Sequence, residues 1–282
     1  MPHKNDRHPA LCMVITELDV GGAEKAFVRL AHGLVFSGWN VRVICLRGPG
    51  PLGQELQDRE IPVEYLNCGG FADVRAPFRL AASLRKQRPD IVLSFLHQAN
   101  VASRIACRLT GVPVQVSGIR VADRRLSVLL TERLTARWTT HCVAVSEHVA
   151  TAHRRISRLP DSQISVIRNG VDWQLLSQLP PADRRQFAWD DSNFIILSVG
   201  RLEPQKDPET LLQAFRILQA QQPVLPRQIR LLFVGDGPLR SVLEHRVRMY
   251  ELEDVVHFTG WRPDAASLIR MADVLVLASR WD

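Results

Sequence analysis

The chain has 282 residues, enough for two ordinary domains, and its 46% hydrophobic and 23% charged content is that of a folded globular protein rather than a disordered one. With 36 basic and 29 acidic residues the formal charge is +7, a modest excess that suits acidic small molecules or an anionic membrane surface. Aromatic residues make up only 6% and no glycine-aromatic motif of an RNA-binding sheet occurs, so nucleic acid is not an expected partner.

Residues 11–16 read as a short apolar strand, followed by ELDVGGAEKAFVRLAHGLVFSG. Ala23, Ala26, Phe27, Leu30, Ala31, Leu34 and Val35 recur at helical spacing on one face, and Gly38 is a natural stop. Gly21 and Gly22 therefore form a tight strand-to-helix turn where a ligand could approach backbone N–H groups, although a plain turn pair would leave the same trace. Residues 41–46 are the second strand. The RGPGPLG after it matches G-x-G-x-x-G at Gly48, Gly50 and Gly53. It follows the wrong strand for a dinucleotide fingerprint, and Pro49 and Pro51 remove two of the donors that motif exists to supply, so a stiff loop is expected.

Alternation continues with strand 63–66, helix 77–88, strand 91–96, helix 99–109, strand 112–116, helix 126–138, strand 142–145, helix 147–156 and strand 164–167 before RNGVD. The repetition predicts a doubly wound parallel sheet of about seven strands. Ligands of such sheets bind beyond the carboxyl ends of strands. That selects His97, at the end of the fourth strand with Gln98 and Asn100 behind it, as a group that can donate to a sugar hydroxyl or help place an acceptor; a capping or solvent-facing histidine is the plainer alternative. Residues 120–137 are basic and partly amphipathic, either a surface helix with one buried face or a patch for anionic lipid or a charged acceptor.

Pro180, Pro181 and weakly periodic polar residues mark a boundary, giving a first domain over 1–172, a linker over 173–192 and a second domain over 193–282. The second opens with ILSVGRLEPQKDPETLLQAF, around which the chain is organised. Strand 194–199 stops at Gly200, and a helix over 208–221 starts with Asp207 as N-cap and Pro208 in its first position, with Leu211, Leu212, Phe215 and Leu218 along one face. Arg201 and Lys206 lie between them, beside the positive end of the helix, as a site for a doubly charged group, most economically a diphosphate. A solvated basic loop is the bland alternative. The Asp207 carboxylate would repel phosphate unless its oxygens turn onto their own helix N–H groups. Strand 229–234, the GDGP turn with Gly235 and Gly237, helix 238–250, strand 255–259, GWRPD and strand 274–278 complete a four-stranded sheet.

The five cysteines sit in or beside apolar runs without C-x-x-C spacing and read as reduced core residues of a cytoplasmic protein. The polar start MPHKNDRHPA lacks the apolar core of a signal peptide, and no run approaches the roughly 18 apolar residues of a membrane span. The expected location is the cytoplasm, with peripheral contact at the inner face of the membrane left open. No D-x-D occurs, and His148 and His153 are poorly spaced to share a helix face, so neither a metal nor another cofactor is expected and the cations would do a metal's work.

Taken in order, GGAE, FLHQAN, VAVSEHV, IRNGVD, VGRLEPQKDPETLLQAF, FVGDGP, VHFTGW and ADVLVLAS resemble the retaining glycosyltransferases of family 4, over essentially the whole chain. The resemblance implies an α/β architecture of the GT-B type: an acceptor-side Rossmann-like domain, then a partial Rossmann-like domain that binds a nucleotide sugar. It implies transfer of a sugar from a nucleoside diphosphate sugar to a glycan or lipid-linked acceptor, with retention, in the assembly of polysaccharide, lipopolysaccharide or glycolipid. By matching position, Arg201 and Lys206 would hold the donor diphosphate, Gly22 would offer a backbone N–H at an interdomain cleft, and His97 would contact the transferred sugar. Gly235, Trp261 and Arg262 would line the base pocket. The family ends its donor site with two glutamates separated by seven residues. Asp282 falls at the first and the chain stops before the second, which implies a shortened donor site and leaves two alternatives: an inactive nucleotide-binding or interaction module, and a sugar-nucleotide epimerase of the same fold.

Overall fold

The computed structural model describes residues 9–70, 73–123, 125–221 and 227–280, in two units that divide between Gly170 and Val171. The first unit contains β1 (Ala10–Ile15), α1 (Gly22–Phe36), β2 (Asn40–Cys45), α2 (Pro51–Gln57), β3 (Val63–Tyr65), α3 (Ala76–Gln87) and β4 (Ile91–Phe95). It continues with α4 (His97–Thr110), β5 (Val114–Ile119), α5 (Leu126–Thr135), β6 (His141–Ala144), α6 (Glu147–Ser157) and β7 (Ile164–Val166). All seven strands are parallel, in the order β3-β2-β1-β4-β5-β6-β7. Side chains alternate across β1: Met13 and Ile15 pack with Phe27 of α1, Cys12 and Val14 with Leu80 of α3 and Ala102 of α4. Burial on both faces is why the strand reads as an unbroken apolar run.

The second unit holds α7 (Trp173–Gln178), β8 (Asn193–Val199), α8 (Pro208–Ala220), β9 (Gln228–Val234), α9 (Arg240–Met249), β10 (Val256–Phe258), α10 (Ala265–Met271) and β11 (Val274–Leu275). Its parallel sheet runs β10-β9-β8-β11. Ile195 and Leu197 of β8 face Leu268 and Met271 of α10, while the opposite face of the sheet meets Leu211, Leu212 and Phe215 of α8. Both units are thus α/β with doubly wound parallel sheets. In each the strand order reverses once, between β1 and β4 and between β8 and β11, and a crevice opens beyond the carboxyl ends at such a reversal.

Several local expectations change. The stretch read as a stiff loop is a helix from Pro51, because proline is well suited to a first helical position even where it spoils a phosphate loop. β5 begins at Val114, later than expected, since Pro113 cannot donate to the ladder. On α1, Leu30 and Val35 are exposed and Val28 is buried instead, a narrower stripe than the sequence suggested. Gly38 does end that helix, at φ 85° with Trp39 N–H bonded to Leu34 O at 3.0 Å. Residues 173–192, read as a linker, contribute α7 and the core residue Trp189 to the second unit. All five cysteines are free and buried, and burial pushes the thiols of Cys45 and Cys142 up to about 11 and that of Cys107 to about 12.

Candidate donor site on the second unit and its counterpart on the first

Three strand-end turns are stitched together over the carboxyl edge of the second sheet. Gly200 N–H donates to Val234 O (2.9 Å), Leu202 N–H to Asp236 O (2.9 Å) and Gly235 N–H to Gly260 O (2.8 Å). Gly235 has φ 134°, and a Cβ there would overlap the carbonyl oxygen of Gly200. Only glycine fits. Gly235→Ala is expected to cost about 1–3 kcal/mol from backbone strain alone, with the overlap in addition, read by urea unfolding. An unchanged midpoint would mean that the turns are not interlocked.

The loop from Gly200 to Asp207 closes on itself through Lys206 N–H to Glu203 O (3.0 Å) and Asp207 N–H to Glu203 O (3.2 Å). Arg201 and Lys206 line one small concavity with residues 198–200, Leu202, Pro208 and residues 277–279, at the reversal between β8 and β11. The stem of Lys206 lies against Gly200, and the largely exposed Arg201 pairs with Glu203 at 2.9 Å. Asp207 occupies the N-cap position of α8, in the left-handed region at φ 45°, yet makes no side-chain capping bond to a helix N–H. Its carboxylate accepts instead from the Thr210 hydroxyl (2.8 Å) and from Arg280 through Nε (2.7 Å) and Nη2 (3.3 Å). Arg280 foremost holds that carboxyl below the usual range. The repulsion expected from Asp207 is therefore met first by a cation, Arg280, with the first turn of the helix assisting through Thr210. Sequence reasoning missed Arg280. It is placed by a backbone bond to Gln205 O (2.9 Å), a pairing that no local pattern announces.

Of the other residues assigned to the donor, Gly235 belongs to the interlocked turns and Trp261, just beyond Gly260, is exposed. Arg262 is tied by two bonds of 2.7 Å to Asp264 and by one of 3.0 Å to Gln186. Asp282 lies outside the described residues.

On the first unit, Gly22 and His97 follow β1 and β4, the two strands at the reversal. Gly22 is the first residue of α1, and a Cβ there would meet nothing within 4 Å; the Glu24 carboxylate folds back against neighbouring Gly21. His97 is not the last residue of a strand, as expected, but the first of α4, because Leu96 takes φ 71° and ends the extended chain. Its ring neither caps a helix nor faces solvent: Nδ1 lies 3.0 Å from Glu132 Oε1 and Nε2 2.9 Å from Thr131 Oγ1, both on α5. Glu132 also accepts from Arg104 Nη1 (2.6 Å), a fully buried guanidinium that donates to Ser117 and Thr135 as well. Burial opposes the charge on Glu132, but His97 and Arg104 prevail and hold the carboxyl down at about 2. Asn100 is structural, accepting from Ser94 and donating to Gly118 O. Arg120, the first residue of the basic stretch, lies at the end of β5, where its guanidinium stacks 4.7 Å from the centre of the Phe95 ring and bonds Asn169.

Residues 20–175 match the family model described as Glycosyltransferase Family 4, and residues 181–282 match that described as Glycosyl transferases group 1. The chain belongs to the glycosyltransferases of the GT-B fold. It is 27% identical over 263 residues to the UDP-Gal:alpha-D-GlcNAc-diphosphoundecaprenol alpha-1,3-galactosyltransferase of Escherichia coli, across 86% of this chain and 66% of that protein, and so spans slightly less than two thirds of that relative's length. Identity is 25% to the GalNAc-alpha-(1->4)-GalNAc-alpha-(1->3)-diNAcBac-PP-undecaprenol alpha-1,4-N-acetyl-D-galactosaminyltransferase of Campylobacter jejuni, across 95% of this chain and 72% of the relative. Among solved structures, Anabaena HepE in complex with UDP and glucose superposes with a TM-score of 0.77 at 21% identity, over 96% of this chain and 74% of HepE, a likeness of fold.

Proposed function

We propose that the chain binds a nucleoside diphosphate sugar on its second unit and transfers the sugar, with retention and without a metal, to a glycan or lipid-linked acceptor held by the first. On this reading it is a family 4 enzyme working in the cytoplasm, in the assembly of polysaccharide, lipopolysaccharide or glycolipid. One observation carries the reading: Arg201 and Lys206 line a single concavity at the sheet reversal, beside the N-terminus of α8, with Asp207 already neutralised by Arg280. Breaking the bond between C1 and the phosphate oxygen leaves negative charge on the diphosphate. Cations fixed in advance stabilise that charge most where it grows. The undecaprenol-linked acceptors in the names of two relatives support a lipid-linked acceptor here, and the ordered motifs resembling retaining enzymes support retention. On the first unit a sugar hydroxyl would displace Thr131 from His97 Nε2 while Glu132 keeps its hold on Nδ1, and Arg120 offers a cation to an acidic acceptor.

Calorimetric titration with a panel of nucleoside diphosphates tests the donor half. At least one is expected to bind, and the one that binds names the base. A folded sample that binds none would remove the reading.

A further inference from the structure

α5 is partly inverted. Beside Val128 it turns Glu132 and Thr135 into the protein, all three buried, and Leu129 is half-buried, while Leu126, Leu130 and Leu134 are 71%, 52% and 63% exposed. A surface helix normally does the reverse. The cause lies beneath it: the fully buried Arg104 demands a carboxylate and a hydroxyl, and α5 supplies both. These three leucines are thereby left outside, four residues apart and so in one stripe, and the partly exposed Trp138 closes the 3-10 turn Ala136–Trp138 that follows the helix. Arg125, Arg133 and Arg137 flank the stripe and are exposed, Arg137 lying over the Trp138 ring at 5.4 Å. The helix has one carboxylate, Glu132, and that is buried; Asp123, just before it, is held by Arg125.

We infer that the outer face of α5 docks on an anionic lipid bilayer. Leucines and tryptophan enter the boundary between headgroups and acyl chains, and the arginines meet lipid phosphates. The positive rim argues against a second copy of the chain, because a two-fold contact through this stripe would bring arginine against arginine. The inference deepens the lipid-linked acceptor reading by naming the surface that brings the chain to such an acceptor. Its test needs no turnover, so its failure would leave donor binding untouched.

The whole chain is sedimented with phosphatidylcholine vesicles, with and without phosphatidylglycerol. Binding is expected only where the anionic lipid is present, weakening severalfold as salt is raised. Leu130→Asp with Leu134→Asp is expected to lower the partition at least tenfold, and Arg133→Gln with Arg137→Gln severalfold, whereas Val242→Asp, an exposed apolar site on α9 of the other unit, leaves it unchanged. The comparison of lipid compositions and salts on the unmodified chain stands even if a variant misfolds. Failure to bind either vesicle, or equal binding to both, overturns the inference. So does a concentration-dependent dimer of the unmodified chain that the leucine variant abolishes, which would give the face to a second copy.

Discussion

Lys206→Ala is expected to weaken binding of a nucleoside diphosphate by about ten- to a hundredfold, because a charge-assisted contact contributes about 1.5–3 kcal/mol and each factor of ten is about 1.4 kcal/mol. The ammonium is the better placed of the two loop cations: its stem lies along Gly200, and its backbone is pinned by the turn onto Glu203. Arg201→Ala is expected to have a smaller effect, since its guanidinium is largely exposed and screened by solvent. Calorimetry against the diphosphate that binds the unmodified chain reads both, and in a transfer assay turnover is expected to fall by the same order. Unaltered affinity in both variants would mean that the concavity is not the diphosphate site.

Glu132→Ala is expected to destabilise the first unit by about 3–5 kcal/mol, read by urea unfolding, because it strands a buried cation. Arg104 would be left with neutral partners such as the hydroxyls of Ser117 and Thr135, and His97 would lose its Nδ1 partner. The same carboxylate gives stability a pH dependence with a definite sign. Its folded value of about 2 lies below the ordinary 4.5 of a glutamate, so the contribution is complete above the higher figure and is lost as pH falls toward the lower. The unmodified chain is expected to lose stability across that window, and the alanine variant to lack that component. A cost under about 1 kcal/mol would show that Arg104 finds its compensation elsewhere.

The two sheets were legible in the sequence because parallel strands buried on both faces leave continuous apolar runs, and because turn residues such as Gly200, Pro208 and Gly38 punctuate them in order. The position of Asp207 at the start of α8 was legible for the same reason. Its partner was not: Arg280 reaches it from the segment that follows β11, across 73 residues. His97 shows the limit again. Its place near the carboxyl end of β4 could be read, but the two groups that grip its ring come from a helix whose inward side the sequence did not identify. Leu126, Leu130 and Leu134 look like part of a core face, and a buried guanidinium on a different helix decides that they are not.

Thr131 and Glu132 follow directly after Leu130 along the helix that carries them, and each holds one nitrogen of the His97 ring. A load on the outer side of α5 would therefore reach the imidazole through two hydrogen bonds, across the thickness of one helix, about 10 Å. Seating the leucines and orienting the histidine would then be a single displacement.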